Sequence, residues 1–408
     1  MLVNGMFRRL IRSGTFLITD TKGRTHRFEG ERSGPSAHVR FHDPRMEYRL
    51  LWNGSLTLGE GYMNGWWTVV DGSLYDCLDV IGRNVRIAGM PKLHALLQKL
   101  TYPARYLQQL NIAPRAKRNV AHHYDLSGEL YNLFLDSDRQ YSCAYFRSPD
   151  DTLEIAQENK KRHIAAKLRL EPGQKVLDIG CGWGGLALHL ARNHDVEVTG
   201  LTLSTEQLAV ANERARASGL DGRVKFHLRD YRDQDGTFDR IVSVGMFEHV
   251  GITYYPTYFN AVKSLLAEDG VALLHTIGRM EGPSTTDPWI RRYIFPGGYL
   301  PAPSELTGTI ERSGLWLTDL EILRIHYAKT LRIWRERFLA NKDKALALYD
   351  ERFCRMWEYY LAICEISFRH LRNTVFQAQL TRSQDAVPLT RDYMKECVYV
   401  GGNSESAV

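Results

Sequence analysis

The chain has 408 residues, enough for two domains or for one large domain with insertions, and its 44% hydrophobic and 25% charged residues are those of a globular protein rather than a disordered, collagen-like or disulfide-stapled one. A formal charge of +6 falls short of the dense Lys/Arg fields of nucleic-acid binders, so no nucleic acid is expected, while an anionic surface stays open as a partner. Cysteines at 77, 143, 181, 354, 364 and 397 form no CxxC pair and no His/Cys ligand spacing, which argues against a metal site or a disulfide framework and for reduced thiols in the cytoplasm.

The opening MLVNGMFRRLIRSG lacks the apolar stretch and small-residue cleavage site of a signal peptide. No apolar run approaches the roughly 18 residues of a spanning helix. Residues 1 to 100 read as a small α+β unit, with β-like runs at Gly14–Thr19, His26–Glu29 and His38–His42 and a helix at Ser73–Asn84. Between 85 and 120 the basic residues Arg86, Lys92, Lys99, Arg105, Arg115, Lys117 and Arg118 occur with no acidic residue among them, interleaved with leucines and tyrosines. Such a connector fits either an anionic lipid surface or a solvated inter-domain helix, and its core, 101–120, is read as a linker.

From 121 to 390 helices alternate with apolar strands, the pattern of a parallel α/β sheet. Helix Asp151–Leu170 leads to strand Lys175–Ile179, helix Gly185–Arg192, strand Glu197–Leu201, helix Thr205–Ala217 and strand Val224–Leu228. Strands Asp239–Val244 and Val271–Thr276 follow. Gly278–Pro303 is too long and too rich in Pro, Gly and aromatics for an ordinary loop and is read as a lid. Residues 330–376 read as mainly helical and cap the site, and 391–408 as a frayed tail.

The segment VLDIGCGWGG, 176–185, sets Gly180, Gly182, Gly184 and Gly185 between a strand and a helix, where backbone N–H groups can approach a ligand at a helix N-terminus. Its spacing satisfies the dinucleotide fingerprint, but the acidic residue expected at the end of the second strand is absent: that strand ends Val198-Thr199-Gly200-Leu201-Thr202-Leu203-Ser204. Asp178, two residues before the first glycine, is typical of methyltransferase first motifs. S-adenosylmethionine is therefore the favoured ligand over a nicotinamide or flavin.

Several strings in order then resemble the cyclopropane-fatty-acyl-phospholipid synthase family, related to the mycolic acid cyclopropane synthases. They are LGEGYMNGWW at 58–67, HYDLSGELYNLFLD at 123–136, QYSCAYF at 140–146, GLTLSTEQ at 200–207, RDYRD at 229–233, FDRIVSVGMFEHVG at 238–251, LLHTIG at 273–278 and DPWIRRYIFPGGYLP at 287–301. The resemblance implies a Rossmann-like α/β methyltransferase sheet with a helical lid, plus a small N-terminal α+β domain that docks lipid. It implies an enzyme that transfers a methylene unit from S-adenosylmethionine to the cis double bond of an unsaturated membrane phospholipid, working as a homodimer at the anionic inner membrane face. A relative that leaves a methylene or methyl branch remains the alternative.

Residue by residue, the resemblance places Tyr141 and Ser142 near the methionine portion of the cofactor, with Asp178, Gly180, Gly182 and Gly184 along it. Thr202, Leu203, Ser204 and Gln207 would meet the ribose, and Asp230 and Tyr231 the adenine. Ring closure needs a base, which the resemblance implies to be bound bicarbonate held by Cys143, Glu248, His275, Ile277 and Tyr327. Backbone N–H at Cys143 and Ile277 with His275 and Tyr327 suits an anion, and Glu248 can accept the bicarbonate hydroxyl proton. Cys364 matches a cysteine assigned to the active site in this family, although the reaction needs no covalent thiol intermediate. Ser127-Gly128 and Phe146 depart from the Gly-Asn and Trp more common in the family, which puts acyl preference in doubt.

Overall fold

The structure is a computed structural model that describes residues 1–89, 102–104, 109 and 127–396. The linker of 101–120, His123 to Leu126 and the tail from Cys397 lie almost wholly outside the described residues. Two sheets organise the rest. The first follows α1 (Asn4–Leu10) and comprises β1 (Ser13–Thr19), β2 (Thr25–Glu29), β3 (Arg32–Phe41) and, after helices α2 (Arg45–Trp52) and α3 (Gly54–Met63), β4 (Trp67–Asp71), in the order β2-β1-β3-β4. Phe7 stacks on Phe16 at 5.6 Å and meets Phe28 at 5.4 Å, closing α1 over this sheet. Helix α4 (Leu74–Ala88) starts at a capping box, Ser73 with Asp76, and stops where Gly89 takes φ +76.

The second part begins with α5 (Gly128–Asn132) and α6 (Leu153–Leu168), then β5 (Lys175–Ile179), α7 (Gly185–His194), β6 (Glu197–Thr202), α8 (Thr205–Ala217), β7 (Val224–Leu228) and β8 (Phe238–Val244). It continues with α9 (Tyr255–Leu265), β9 (Leu266–Arg279), α10 (Pro288–Tyr293), α11 (Pro303–Ser313), β10 (Trp316–Ile322), α12 (His326–Ala340), α13 (Lys342–Leu348), α14 (Glu351–His370), β11 (Asn373–Thr381) and α15 (Tyr393–Glu396). The seven strands run β10-β11-β9-β8-β5-β6-β7, all parallel except β11, which pairs antiparallel with both β9 and β10. Val176 to Ile179 are all buried, as strands covered by helices on both faces require. This is a Rossmann-like α/β sheet with one antiparallel strand.

Residues 330–376 are mainly helical as expected, but two strands fall outside the sequence reading. Residues 330–376 are helical only to His370; 373–376 open β11, whose residues are buried on both faces, so neither a helical stripe nor a half-exposed alternation marks it. β10, at the sheet edge with a mixed half-buried pattern, lay in no expected element.

The two parts share a core. Helices α3 and α4 pack on α14, and at Gly82 an added Cβ would lie 2.4 Å from Ile366. Trp289 of α10 is fully buried against Tyr359, with ring centroids 4.7 Å apart, and so close to α3 that a Cβ on Gly59 would fall 2.3 Å from its ring. Glu60 accepts from Tyr293 Oη at 2.8 Å and from Arg292 Nη1 at 3.0 Å, and Ser55 donates to Asp287. The lid segment is thus pinned to the N-terminal part. Trp289→Ala is expected to cost about 3–5 kcal/mol in denaturant unfolding. A loss under about 1 kcal/mol would mean that α3, α10 and α14 do not form one core.

Candidate active site

In an open parallel sheet, ligands bind beyond the carboxyl ends of the strands where the strand order reverses, here between β5 and β8. A cavity opens there. Its wall takes Asp178 to Gly182 after β5, Leu201 to Leu203 after β6, Arg229 to Arg232 after β7 and Val244 to Met246 with His249 and Val250 after β8. Arg139 to Ser142, Trp183, Gly185, Leu186 and Gln207 complete it.

The β5 turn is built from left-handed glycines. Gly180, Gly182 and Gly184 have φ of +88, +54 and +81, and the N–H groups of Gly180 and Cys181 both bond Leu201 O at 2.9 Å, tying the turn to β6. Nothing stands within 4 Å of where a Gly182 Cβ would be, so the backbone there faces open space. Asp178 is fully buried with Oδ2 unpartnered, and burial raises its carboxyl to about 7 against the lowering field of Lys160. An orphaned buried carboxylate oxygen beside an exposed glycine backbone fits a ligand that carries an ammonium group.

After β6, Thr202 Oγ1 donates to Gln207 Oε1 at 2.9 Å and accepts from Ser204 N–H at 3.1 Å. After β7, Asp230 is clamped by Arg232 through Nε at 2.8 Å and Nη2 at 2.6 Å, while Tyr231 packs edge-on against Tyr258 at 5.4 Å. An aromatic cluster stands behind Tyr141. Tyr141 Oη lies 2.7 Å from Tyr360 Oη and its ring stacks on Trp334 at 5.2 Å; Tyr131, Phe134 and Trp357 continue the cluster.

Of the twelve residues expected to hold the cofactor, the cavity wall contains Tyr141, Ser142, Asp178, Gly180, Gly182, Thr202, Leu203, Gln207, Asp230 and Tyr231. Two lie elsewhere. Ser204 caps α8, its Oγ accepting from Gln207 N–H at 3.2 Å, and Gly184 is pressed against β7, where a Cβ would come 2.6 Å from the Phe226 ring. Both shape the turns behind the wall.

Within the expected anion set, Glu248 and Ile277 are in direct contact behind the β8 turn. Glu248 is buried; its Oε1 accepts the Ile277 N–H at 2.6 Å, its Oε2 has no partner, and burial raises its carboxyl to about 7. The Ile277 N–H is therefore given to Glu248, not left open toward an anion as expected. Its position in β9 follows from register, with Ile277 opposite Val375 and His275 opposite Gln377. His275 is held neutral by burial and by Lys160 and Lys167, which lower it to about 3. With Gln377 Nε2 donating to Nδ1 at 3.1 Å, its proton sits on Nε2. Tyr327 is buried against Phe368 at 4.8 Å. Burial pushes the thiols of Cys143 and Cys364 well up, so neither is a thiolate nucleophile near neutral pH. Among the described residues no group of acidic, His or Cys side chains is arranged to hold a metal ion.

The family model described as mycolic acid cyclopropane synthetase matches residues 113–378, about two thirds of the chain. The chain belongs to the mycolic acid cyclopropane synthetase family. It is 43% identical over 348 residues to the cyclopropane-fatty-acyl-phospholipid synthase of Escherichia coli K12, covering 85% of this chain and 88% of that one. Tuberculostearic acid methyltransferase UfaA1 of Mycobacterium tuberculosis is 39% identical, with 82% of this chain and 80% of that protein covered. Among solved structures, mycolic acid cyclopropane synthase CmaA1 complexed with SAH and CTAB superposes with a TM-score of 0.61 at 36% identity, over 65% of this chain and 97% of that one.

For this family member, sequence reading missed the support beneath the cavity. Lys160 is fully buried and donates from Nζ to Gln140 Oε1 and Ser142 Oγ, both at 2.7 Å; Gln157 Nε2 donates to the carbonyls of Gln140 and Ser142 at 3.1 and 3.0 Å. A signal was present: on α6, Leu153, Ala156, Gln157, Lys160 and Ile164 share one buried stripe, and two polar residues on an apolar stripe mark a built interior network. Trp183, which donates from Nε1 to Glu206 Oε2 at 3.1 Å, carried no comparable mark.

Proposed function

We propose that the protein cyclopropanates unsaturated acyl chains of membrane phospholipid. The observation that carries this reading is one cavity lined by an orphaned carboxylate, Asp178, and by the rings of Tyr141, Trp183 and Tyr231, in a chain 43% identical over most of its length to a synthase of that name. S-adenosylmethionine would supply an electrophilic methyl carbon, and bound bicarbonate a base. Asp178, Tyr141 and Ser142 bind the methionine end, Thr202, Leu203 and Gln207 the ribose, and Asp230 and Tyr231 the adenine. Tyr141 lines the cavity and, backed by Trp334, Phe134 and Tyr360, closes that side to water; its ring is available to positive charge developing on the acyl chain, worth about 0.5–2 kcal/mol. Glu248 holds and orients the anion through Oε2, His275 donates from Nε2, Cys143 and Tyr327 line the same pocket, and Ile277 acts by fixing Glu248.

Residues 1–100 are proposed to dock the membrane, and an exposed face supports this. Leu2, Tyr48 and Trp52 stand 70%, 46% and 66% exposed on and beside α2, the Leu2 N–H bonding Glu47 and Arg45 and Arg49 lying on the same helix. No described helix is long and apolar enough to cross a bilayer. Trp52→Glu is expected to weaken sedimentation with anionic vesicles about tenfold without changing cofactor affinity. Unchanged sedimentation would place docking on another face.

Purified protein given S-adenosylmethionine, bicarbonate and oleoyl phospholipid vesicles should add the mass of one CH2 to each modified chain and leave saturated chains untouched. Cofactor binding without any mass gain would contradict the proposal. The acid side of the profile at saturating cofactor follows from Glu248. Its carboxyl is raised to about 7, so it is protonated below and charged above that value. Turnover at fixed bicarbonate should fall about tenfold per pH unit below 7.

The 39% identity to tuberculostearic acid methyltransferase UfaA1 keeps a methyl-branched product as a second reading.

A further inference from the structure

Cations on surfaces are common; a lysine with no exposed surface that touches no carboxylate directly is not. Among the described residues Lys160 is such a residue. Its two acceptors, Gln140 Oε1 and Ser142 Oγ, are neutral, and both residues line the cavity. Gln157, one turn earlier on α6, holds the backbone of the same two residues. We propose that Lys160 is a positioning residue: it fixes the Gln140–Ser142 wall and supplies a buried positive charge that acts on Asp178 of the same cavity, setting the charge with which the cavity meets a cationic cofactor. This rests on the reading of the cavity as the S-adenosylmethionine site and names what sets its charge.

The charges around the pair favour this arrangement. Asp178 sits near the end of β5 between Gly200 of β6 and Val242 of β8, neither titratable, and the groups that act with it are Lys160 from α6 and the Cys181 thiol after β5. Lys160 is in turn favoured by Asp136 and Asp138 and opposed by Lys161, and burial brings it down to about 8. Near pH 7 it is the charged form, and its field also bears on Cys143 and on neutral His275 behind the wall.

The test is the pH dependence of S-adenosylmethionine and S-adenosylhomocysteine affinity, by calorimetry on the full chain. The wild type should lose affinity only below about 7. In Lys160→Met the carboxyl is left without its counter-charge, so the loss should set in about one to three pH units higher, giving at least about a tenfold deficit at pH 7 that recovers as pH rises. Lys160→Arg, which keeps the charge, should show the wild-type profile even if affinity drops uniformly. Asp178→Asn should be flat with pH. If Lys160→Met fails to fold, Lys160→Gln, which removes the charge but keeps a donor for Gln140 Oε1 and Ser142 Oγ, should show the same upward shift. A deficit equal at every pH, or none, overturns the role assigned to Lys160. A wild type that binds neither ligand at any pH instead overturns the reading of the cavity.

Discussion

Glu248→Gln is expected to lower turnover on vesicle phospholipid by about 10²–10⁴-fold while leaving S-adenosylmethionine affinity within about twofold of wild type. The split follows from position. Glu248 lies in the turn after β8 but its carboxylate points away from the cavity wall, toward β9, where Oε1 takes the Ile277 N–H and Oε2 is orphaned. A glutamine preserves the first contact's acceptor and volume, so the turn stays folded, but it cannot accept a proton. Removing bicarbonate from the wild type should mimic the substitution, and the variant should no longer respond to added bicarbonate. A variant that keeps full turnover, or one that loses cofactor binding as well, would show that Glu248 serves the fold or the cofactor and not the anion.

Asp178→Asn should do the reverse. It removes a buried charge that has no hydrogen-bond partner on Oδ2, and the loss should appear in cofactor affinity at about 2–4 kcal/mol, roughly 30- to 1,000-fold in Kd. Turnover at saturating cofactor should be far less affected. An unaltered Kd at pH 8, where the wild-type carboxyl is ionised, would contradict a contact between this oxygen and a cationic ligand.

The cofactor half of the site was legible because its residues are contiguous with strands. Asp178 lies at the end of β5 with Gly180 and Gly182 just beyond it, Thr202 ends β6 with Leu203 beyond it, and Asp230 and Tyr231 follow β7, so finding an apolar strand finds the turn beyond it. Gly184 and Ser204 belong to the same strings but face inward, a distinction of orientation that spacing does not carry. The other half is assembled across the chain. Ile277 reaches Glu248 only through the β8–β9 pairing, and His275 meets Gln377 only because β11, hidden as a strand buried on both faces, lies antiparallel to β9. Lys160 and Gln157 were readable as polar breaks in an apolar helical stripe. The clamp of α3 on α10 through Gly59, Glu60 and Trp289 depends on two segments more than 200 residues apart, which no local pattern announces.

The most direct measurement uses S-adenosylmethionine with a trideuterated methyl group, oleoyl phospholipid vesicles and bicarbonate, reading the product by mass spectrometry and proton NMR. Cyclopropanation predicts that the transferred carbon keeps two of its three deuterons, that the vinyl protons disappear and that upfield ring-methine signals replace them. A saturated chain that retains all three deuterons in a methyl branch, or a chain that still carries an alkene, would contradict the assignment.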